Sequence, residues 1–363
     1  MAKKIIIAGG GTGGHIFPAI AIANALKAQS PGIEIRFIGA KGKMEMEKVP
    51  RAGYQIDGLD IAGFNRSSIL KNLGLPFKLF KSFMQVKKIV NAFEPDAVIG
   101  VGGYSSFPVL RYAQGKGIPT FIHESNSFAG KSNILLGKKA TAVFVASEGM
   151  EQFFPAGKIQ ITGNPVRKEI VKAVGEREEA VKHFGLDPSK TILLAVGGSL
   201  GARSINELIA AHVHELAQHN IELIWQTGTN GAESYKHRGQ PFSNVWVDSF
   251  IYEMDKAYAA ADIVVSRAGA MSVAELCVAG KPVIFVPYPH AAEDHQTVNA
   301  QYLADRKAAL LVKDADIRAK LFPEILRLAN DASLRTSLKE HIRPLAVTNA
   351  DDIIAAEILK QIR

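Results

Sequence analysis

The chain has 363 residues, 47% of them hydrophobic and 21% charged, and a net charge of +8. This length and composition suit two domains with real cores and exclude a disordered or low-complexity chain. A single cysteine, Cys277, excludes an intramolecular disulfide, and no stretch approaches the roughly 20 apolar residues of a bilayer-spanning helix. The apolar start, Ile5–Ala8, is too short for a signal peptide, so a cytoplasmic protein is expected. Charge is unevenly spread: residues 1–166 hold 20 Lys and Arg against 10 Asp and Glu, whereas residues 167–363 hold 23 against 25. The basic half is expected to meet something anionic, either nucleic acid or lipid.

Short β-branched runs alternate with longer helical stretches. Lys4–Ala8, Ile33–Ile38, Ala97–Ile99, Thr120–His123, Ala142–Val145 and Ile159–Thr162 predict the strands of one sheet. Ile192–Val196, Glu222–Gln226, Val245–Asp248, Ile263–Ser266 and Val283–Val286 predict a second. The alternation implies an α/β chain with doubly wound parallel sheets. A break is expected at Gly163–Arg167, ahead of a charged stretch with little apolar periodicity, Lys168–Lys182. Both halves open with an apolar strand, a glycine-rich turn and a helix. Two Rossmann-like domains, 1–163 and 164–344, facing across a ligand-binding cleft, are the expected architecture.

Glycines after a strand let the backbone turn tightly and aim amides at phosphate. Gly9–Gly14 satisfies G-x-G-x-x-G, yet the next strand runs into Gly39-Ala40-Lys41-Gly42-Lys43 without the acid that holds a dinucleotide's ribose. Two more loops, Gly102-Gly103-Tyr104 and Gly197-Gly198-Ser199-Leu200-Gly201, also follow strands. Three such loops suit two phosphate-bearing substrates, although each alone could be a packing turn. Ser272-x-x-Glu275 reads either as a capping box or as a first-turn carboxylate for ribose hydroxyls. His290–Asn299, with Glu293, His295 and Gln296, reads as a polar ligand segment, and its histidines lack metal-ligand spacing. Asp314-Ala315-Asp316 matches the metal-diphosphate pattern D-x-D but better fits a helix N-cap, so no metal is expected.

Between Ile61 and Phe93 there are six basic residues, no acidic one, and many Phe and Leu. This describes either an ordinary amphipathic helix or an element lying in an anionic membrane surface. A nucleic-acid groove would favour Arg and stacking aromatics, and is not expected.

Taken in order, Gly10-Gly11-Thr12-Gly13-Gly14-His15, Gly102-Gly103-Tyr104, His123-Glu124-Ser125-Asn126, Gly163-Asn164-Pro165-Val166-Arg167, Gly197–Arg203 and Arg267–Glu275 resemble the MurG family. The resemblance spans nearly the whole chain, departing at His295-Gln296, where a Gln-Gln pair is usual. It implies a GT-B fold, UDP-N-acetylglucosamine as donor, lipid I as acceptor, and inversion without cofactor or metal. It implies that 1–163 takes the acceptor and associates with membrane, that 164–344 binds the donor, and that a last helix, about 345–363, packs back on the first domain. His15 is then the base candidate, since imidazole titrates near neutral pH, unless it binds acceptor phosphate; Glu124 could orient or replace it. Thr12, Gly13, Gly14 and Asn126 would meet the transferred sugar, and Gly11, Gly103 and Tyr104 the acceptor diphosphate. Ser199 and Arg167 would hold the donor diphosphate beside Ala270, Met271 and Ser272. Glu275 would take the ribose, Ile251 the uracil and Gln296 the sugar. A UDP-sugar 2-epimerase and a non-catalytic membrane-bound nucleotide sensor are the competing readings.

Overall fold

Ile5, Ile6 and Ile7 are all fully buried, which requires a strand covered on both faces. The computed structural model, which describes residues 2–63, 74–172, 176–291 and 294–362, places them in a parallel sheet. The chain divides into two compact units, Met1–Pro165 with Asn349–Arg363, and Val166–Thr348.

The first unit runs β1 (Lys4–Ala8), α1 (Gly13–Gln29), β2 (Glu34–Ala40), α2 (Glu45–Arg51), β3 (Gln55–Leu59), α3 (Leu75–Phe93), β4 (Ala97–Gly100), α4 (Ser106–Gly115), β5 (Thr120–Glu124), α5 (Lys131–Gly137), β6 (Ala142–Val145) and β7 (Ile159–Ile161). Its strands lie in the order β3-β2-β1-β4-β5-β6-β7. Successive side chains of a strand face opposite ways, so Ile5 and Ile7 enter one core and Ile6 and Ala8 the other.

The second unit begins with α6 (Lys168–Lys172) and α7 (Arg177–His183). The charged stretch Lys168–Lys182 is therefore largely helical, because Ile170, Ala180 and Val181 reach the core while the charges face out. There follow β8 (Thr191–Val196), α8 (Arg203–Gln218), β9 (Ile221–Gln226), α9 (Ala232–Gly239), β10 (Val245–Asp248), α10 (Met254–Ala260), β11 (Ile263–Ser266), α11 (Ala270–Ala279), β12 (Val283–Phe285), α12 (His295–Ala304), β13 (Leu310–Leu311), α13 (Ile317–Asn330) and α14 (Ala332–Ile342). The strand order is β10-β9-β8-β11-β12-β13. Again Ile192 and Leu194 enter one core, and Leu193 and Ala195 the other.

A last helix, α15 (Ala350–Gln361), belongs to the first unit. Ile354, Ala355 and Ile358 share a core with Ile22 and Leu26 of α1, and Gln29 donates to the Asp352 carbonyl at 2.9 Å. In both sheets the chain reverses direction of growth between the first strand and its later neighbour, at β1/β4 and β8/β11. Ligands of open α/β sheets bind at the carboxyl ends of such strand pairs.

Candidate functional site

In the first unit the switch point brings two glycine loops together. The amide of Gly10 donates to Gly102 O at 3.4 Å. Gly103 sits at φ +83°, and a Cβ there would lie 2.5 Å from Gly10 O, so only glycine permits this approach. His15 stands in the first turn of α1, its Nδ1 3.0 Å from Gly10 O and 3.4 Å from Thr12 Oγ1. A carbonyl oxygen can only accept, so Nδ1 carries the proton and Nε2 keeps the basic lone pair. That Nε2 lies against Gly102, where an added Cβ would meet it at 2.8 Å. Thr12 is the N-cap residue of α1 but makes no side-chain cap, which leaves the first turn at Gly13 and Gly14 open to an anion.

The acid missing after β2 is supplied by the first residue of α2. Glu45 is 1% exposed, and its carboxylate accepts from Gly11 N at 2.8 Å and Ala40 N at 2.9 Å. A Cβ at Gly10 would strike that carboxyl group at 2.4 Å. Glu45 thus fastens the loop rather than a ribose, and the Gly11 amide, expected to face diphosphate, is already occupied. Burial and the charge of Glu45 raise the Tyr104 hydroxyl's pKa, keeping it protonated beside the loops.

Glu124 is committed to its own loop. Its carboxylate accepts from Asn126 N and Nδ2 at 3.1 and 3.2 Å, from Gly130 N at 3.1 Å and from Asn133 Nδ2 at 2.9 Å. It orients Asn126, and of the two catalytic candidates His15 keeps the accessible basic atom. Beside Glu124, His123 is buried with neither ring nitrogen bonded; burial, then the charge of His15, pulls it down to about 4.

In the second unit Ser199 lies in the β8–α8 loop. This loop meets the β9–α9 turn so closely that a Cβ at Gly228 would fall 2.0 Å from Gly201 N. Gln226, ending β9, donates Nε2 to Gly198 O at 3.1 Å and accepts from Ile251 N at 3.0 Å. The Ile251 amide, expected to read a base, is therefore engaged within the protein.

The N-cap of α11 is Gly269, which supplies no side-chain cap. Ala270, Met271 and Ser272 then form an open first turn at the positive end of the helix, well suited to diphosphate. Ser272 is the third residue and Glu275 the sixth, so no capping box forms. Glu275, 7% exposed, accepts from Arg167 Nε and Nη2 at 3.1 and 3.0 Å and from the Tyr258 hydroxyl at 3.2 Å. Arg167 and Glu275, expected on different parts of the donor, are ion-paired with each other.

Gln296, in the first turn of α12, accepts from Tyr288 N at 3.0 Å; Glu293 lies outside the described residues. Asp314 accepts from Arg267 Nη1 and Ser204 Oγ, both at 2.6 Å, and Asp316 from Lys320 at 2.9 Å. Neither caps α13, because each has a cationic partner instead.

The basic apolar segment is described from 74 onward, and Phe64, Arg66, Ile69, Leu70, Lys71 and Leu73 lie outside the described residues. On α3, Val86, Val90 and Phe93 are core, whereas Phe77 and Phe80 are 73% and 66% exposed. Phe83 is half-buried, and Lys81 pairs with Asp60 at 3.0 Å. No helix among the described residues is long and apolar enough to cross a membrane.

Glu45, Gln226 and Tyr258 were not singled out by sequence reasoning. Gln226 alone gave a signal, as a polar residue closing the apolar run Leu223–Trp225.

Residues 5–145 match the glycosyltransferase family 28 N-terminal domain, and residues 192–354 the family's C-terminal domain. A protein of Parabacteroides distasonis is 48% identical over 362 residues, covering 98% of each chain. One of Flavobacterium psychrophilum is 50% identical over 360 residues, covering 98% of this chain and 97% of the relative. Both are named UDP-N-acetylglucosamine--N-acetylmuramyl-(pentapeptide) pyrophosphoryl-undecaprenol N-acetylglucosamine transferase. The crystal structure of Acinetobacter baumannii MurG superposes with a TM-score of 0.73 at 30% identity over 99% of both chains. A UDP-GlcNAc 2-epimerase of Neisseria meningitidis reaches a TM-score of 0.71 at 15% identity, over 98% of this chain and 100% of its own. At that identity the likeness is one of fold.

Proposed function

The chain belongs to the MurG family within glycosyltransferase family 28, and we infer from this that it makes lipid II for peptidoglycan. It moves N-acetylglucosamine from UDP-N-acetylglucosamine to the C4 hydroxyl of MurNAc in undecaprenyl-diphospho-MurNAc-pentapeptide, lipid I.

The reaction needs a base for the acceptor hydroxyl and a stabiliser for departing UDP. His15 Nε2 takes the hydroxyl proton as the C4 oxygen attacks the anomeric carbon. The bond from that carbon to the UDP oxygen breaks, with inversion, and the electron pair leaves with UDP. The Ser199 loop and the open first turn at Ala270–Ser272 stabilise the diphosphate charge. Glu275, with Arg167 beside it, takes the ribose hydroxyls, and Gln296 and Asn126 the sugar. Thr12, Gly13 and Gly14 approach the transferred sugar, and Gly103 and Tyr104 the acceptor diphosphate. The observation that carries this reading is the His15 Nδ1 contact to Gly10 O, which leaves the basic lone pair on Nε2.

Incubation with UDP-N-acetylglucosamine, with and without lipid I, tests it. Transfer to lipid I, abolished in His15→Ala with UDP binding retained, is expected. Epimerised sugar without lipid I, or neither product, would overturn it.

The first unit would hold the acceptor at the cytoplasmic face of the membrane. Support comes from Phe77 and Phe80, one turn apart and exposed on α3, among exposed Lys78, Lys87 and Lys88. Such a surface suits a peripheral contact with anionic lipid, the phenyl groups inserting and the ammonium groups meeting headgroups.

A further inference from the structure

The glycine loops occupy the carboxyl ends of the second sheet's strands. At the opposite, amino ends of β11 and β12 lies a cavity of about 200 Å³, lined among others by Arg177, Asp255, Tyr258, Lys281, Lys339 and Arg343. Its charges do not balance. Arg177 has four of its five N–H groups engaged, gripping Asp262 at 2.8 and 2.6 Å and the Pro188 and Lys190 carbonyls at 2.8 Å. Lys281 gives two of its three N–H groups to the Ala259 and Ala261 carbonyls, at 3.0 and 2.9 Å. Lys339 and Arg343 have no side-chain hydrogen bond or ion pair among the described residues. Two whole cationic heads and one spare ammonium hydrogen therefore converge on the space, against one lining carboxylate, Asp255. Burial, and then the charge of Lys339, pulls the Lys281 ammonium down to about 8, outweighing the opposing charge of Asp262.

We propose that this cavity is an anion site, distinct from the donor diphosphate site, that binds the phosphate group of a small soluble ligand. A phosphate dianion matches the unpaired cations in charge and offers acceptors for Arg343, Lys339 and the remaining Lys281 hydrogen together. The volume is several times the roughly 30 Å³ share of a liquid water molecule, so it admits a phosphate group with a small substituent. Ile170, Ala259 and Ala279 supply an apolar side for that substituent.

The test is calorimetric titration of the full chain with inorganic phosphate at constant ionic strength, with saturating UDP present to occupy the donor loops. Phosphate at the first unit's glycine loops gives a background common to wild type and variant; one further site per chain is expected, weakened at least tenfold in Lys339→Ala/Arg343→Ala. Lys339→Gln, which keeps the packed stem, replaces the double variant should that lose its circular dichroism spectrum. Equal binding by wild type and variant, or no binding by wild type, overturns the proposal. A second arm separates a soluble phosphate from a lipid headgroup by sedimentation with phosphatidic acid vesicles. The variant should sediment as wild type does. Loss of sedimentation in the variant would show that the site takes a lipid headgroup and would overturn the assignment to a soluble ligand.

Discussion

Glu45 offers the sharpest test of how the first unit presents its histidine. Its buried carboxylate accepts two amide hydrogens, from Gly11 and Ala40, at 2.8 and 2.9 Å. Amide bonds to a charged acceptor are worth about 1.5–3 kcal/mol each, so Glu45→Ala should cost about 3–6 kcal/mol. Glu45→Gln keeps one acceptor oxygen but turns an NH₂ group toward the other amide, and should cost about 2–3 kcal/mol. Both tryptophans, Trp225 and Trp246, lie in the second unit, so their emission tracks that unit while far-ultraviolet circular dichroism tracks both. In urea, the dichroism of the variants should fall at lower denaturant while the tryptophan transition serves as internal reference. The effect on turnover should exceed the effect on substrate binding, because the fastened loop presents Gly10 O to His15 Nδ1. A misplacement of the base costs on the order of 10–100-fold, with the donor KM unchanged. Were Glu45→Gln to unfold and turn over as wild type does, the loop would not depend on this carboxylate and the reasoning would fail.

Three other perturbations follow from the same geometry. Glu275→Ala removes a buried carboxylate that accepts two hydrogen bonds from Arg167 and one from Tyr258, so the second unit should lose about 3–5 kcal/mol, read by tryptophan emission in urea, together with donor affinity. Unchanged stability would show the pair to be dispensable. Phe77→Ser/Phe80→Ser should lower binding to anionic vesicles by roughly one to two powers of ten and leave the dichroism spectrum intact, since both rings are exposed. High salt should release only the part due to lysine, and unaltered vesicle binding would remove α3 from the contact. His123 is held near 4, below its ordinary 6.5, so between those values the unfolded chain binds a proton that the folded one does not. Its contribution is complete above pH 6.5 and is lost as pH falls toward 4, by about 3 kcal/mol; His123→Gln should flatten that part of the pH–stability curve.

Buried parallel strands announce themselves as unbroken apolar runs, which is why Lys4–Ala8, Ala142–Val145 and Ile263–Ser266 can be read directly from the sequence. β3 escapes that reading because it is an edge strand, Gln55–Leu59, half-exposed and carrying Asp57 and Gly58. β13 escapes because it has only two residues. Glycine loops are legible for a related reason, since backbone crowding excludes every other residue at positions such as Gly103 and Gly228. Side-chain partnerships across long separations leave no such trace. Nothing near Arg167 points to Glu275, 108 positions later, and nothing near Gly11 points to Glu45. The charged stretch after Arg167 misleads because two short helices need few apolar residues to anchor them, here Ile170, Ala180 and Val181.

Ordering in time follows from the position of α15. The second unit is one continuous stretch, Val166–Thr348, whereas the first is assembled from two pieces separated by all of it. During synthesis, at about 5–20 residues per second, residues 1–165 emerge and then wait on the order of ten to forty seconds for their final helix. Throughout that interval the apolar face of α1 that receives Ile354 and Ile358 stays uncovered. The second unit can complete its fold first although it is translated later. Deleting residues 349–363 would therefore wound the first unit and spare the one adjoining the cut, and the nascent first half is the part of this chain that a chaperone has reason to hold.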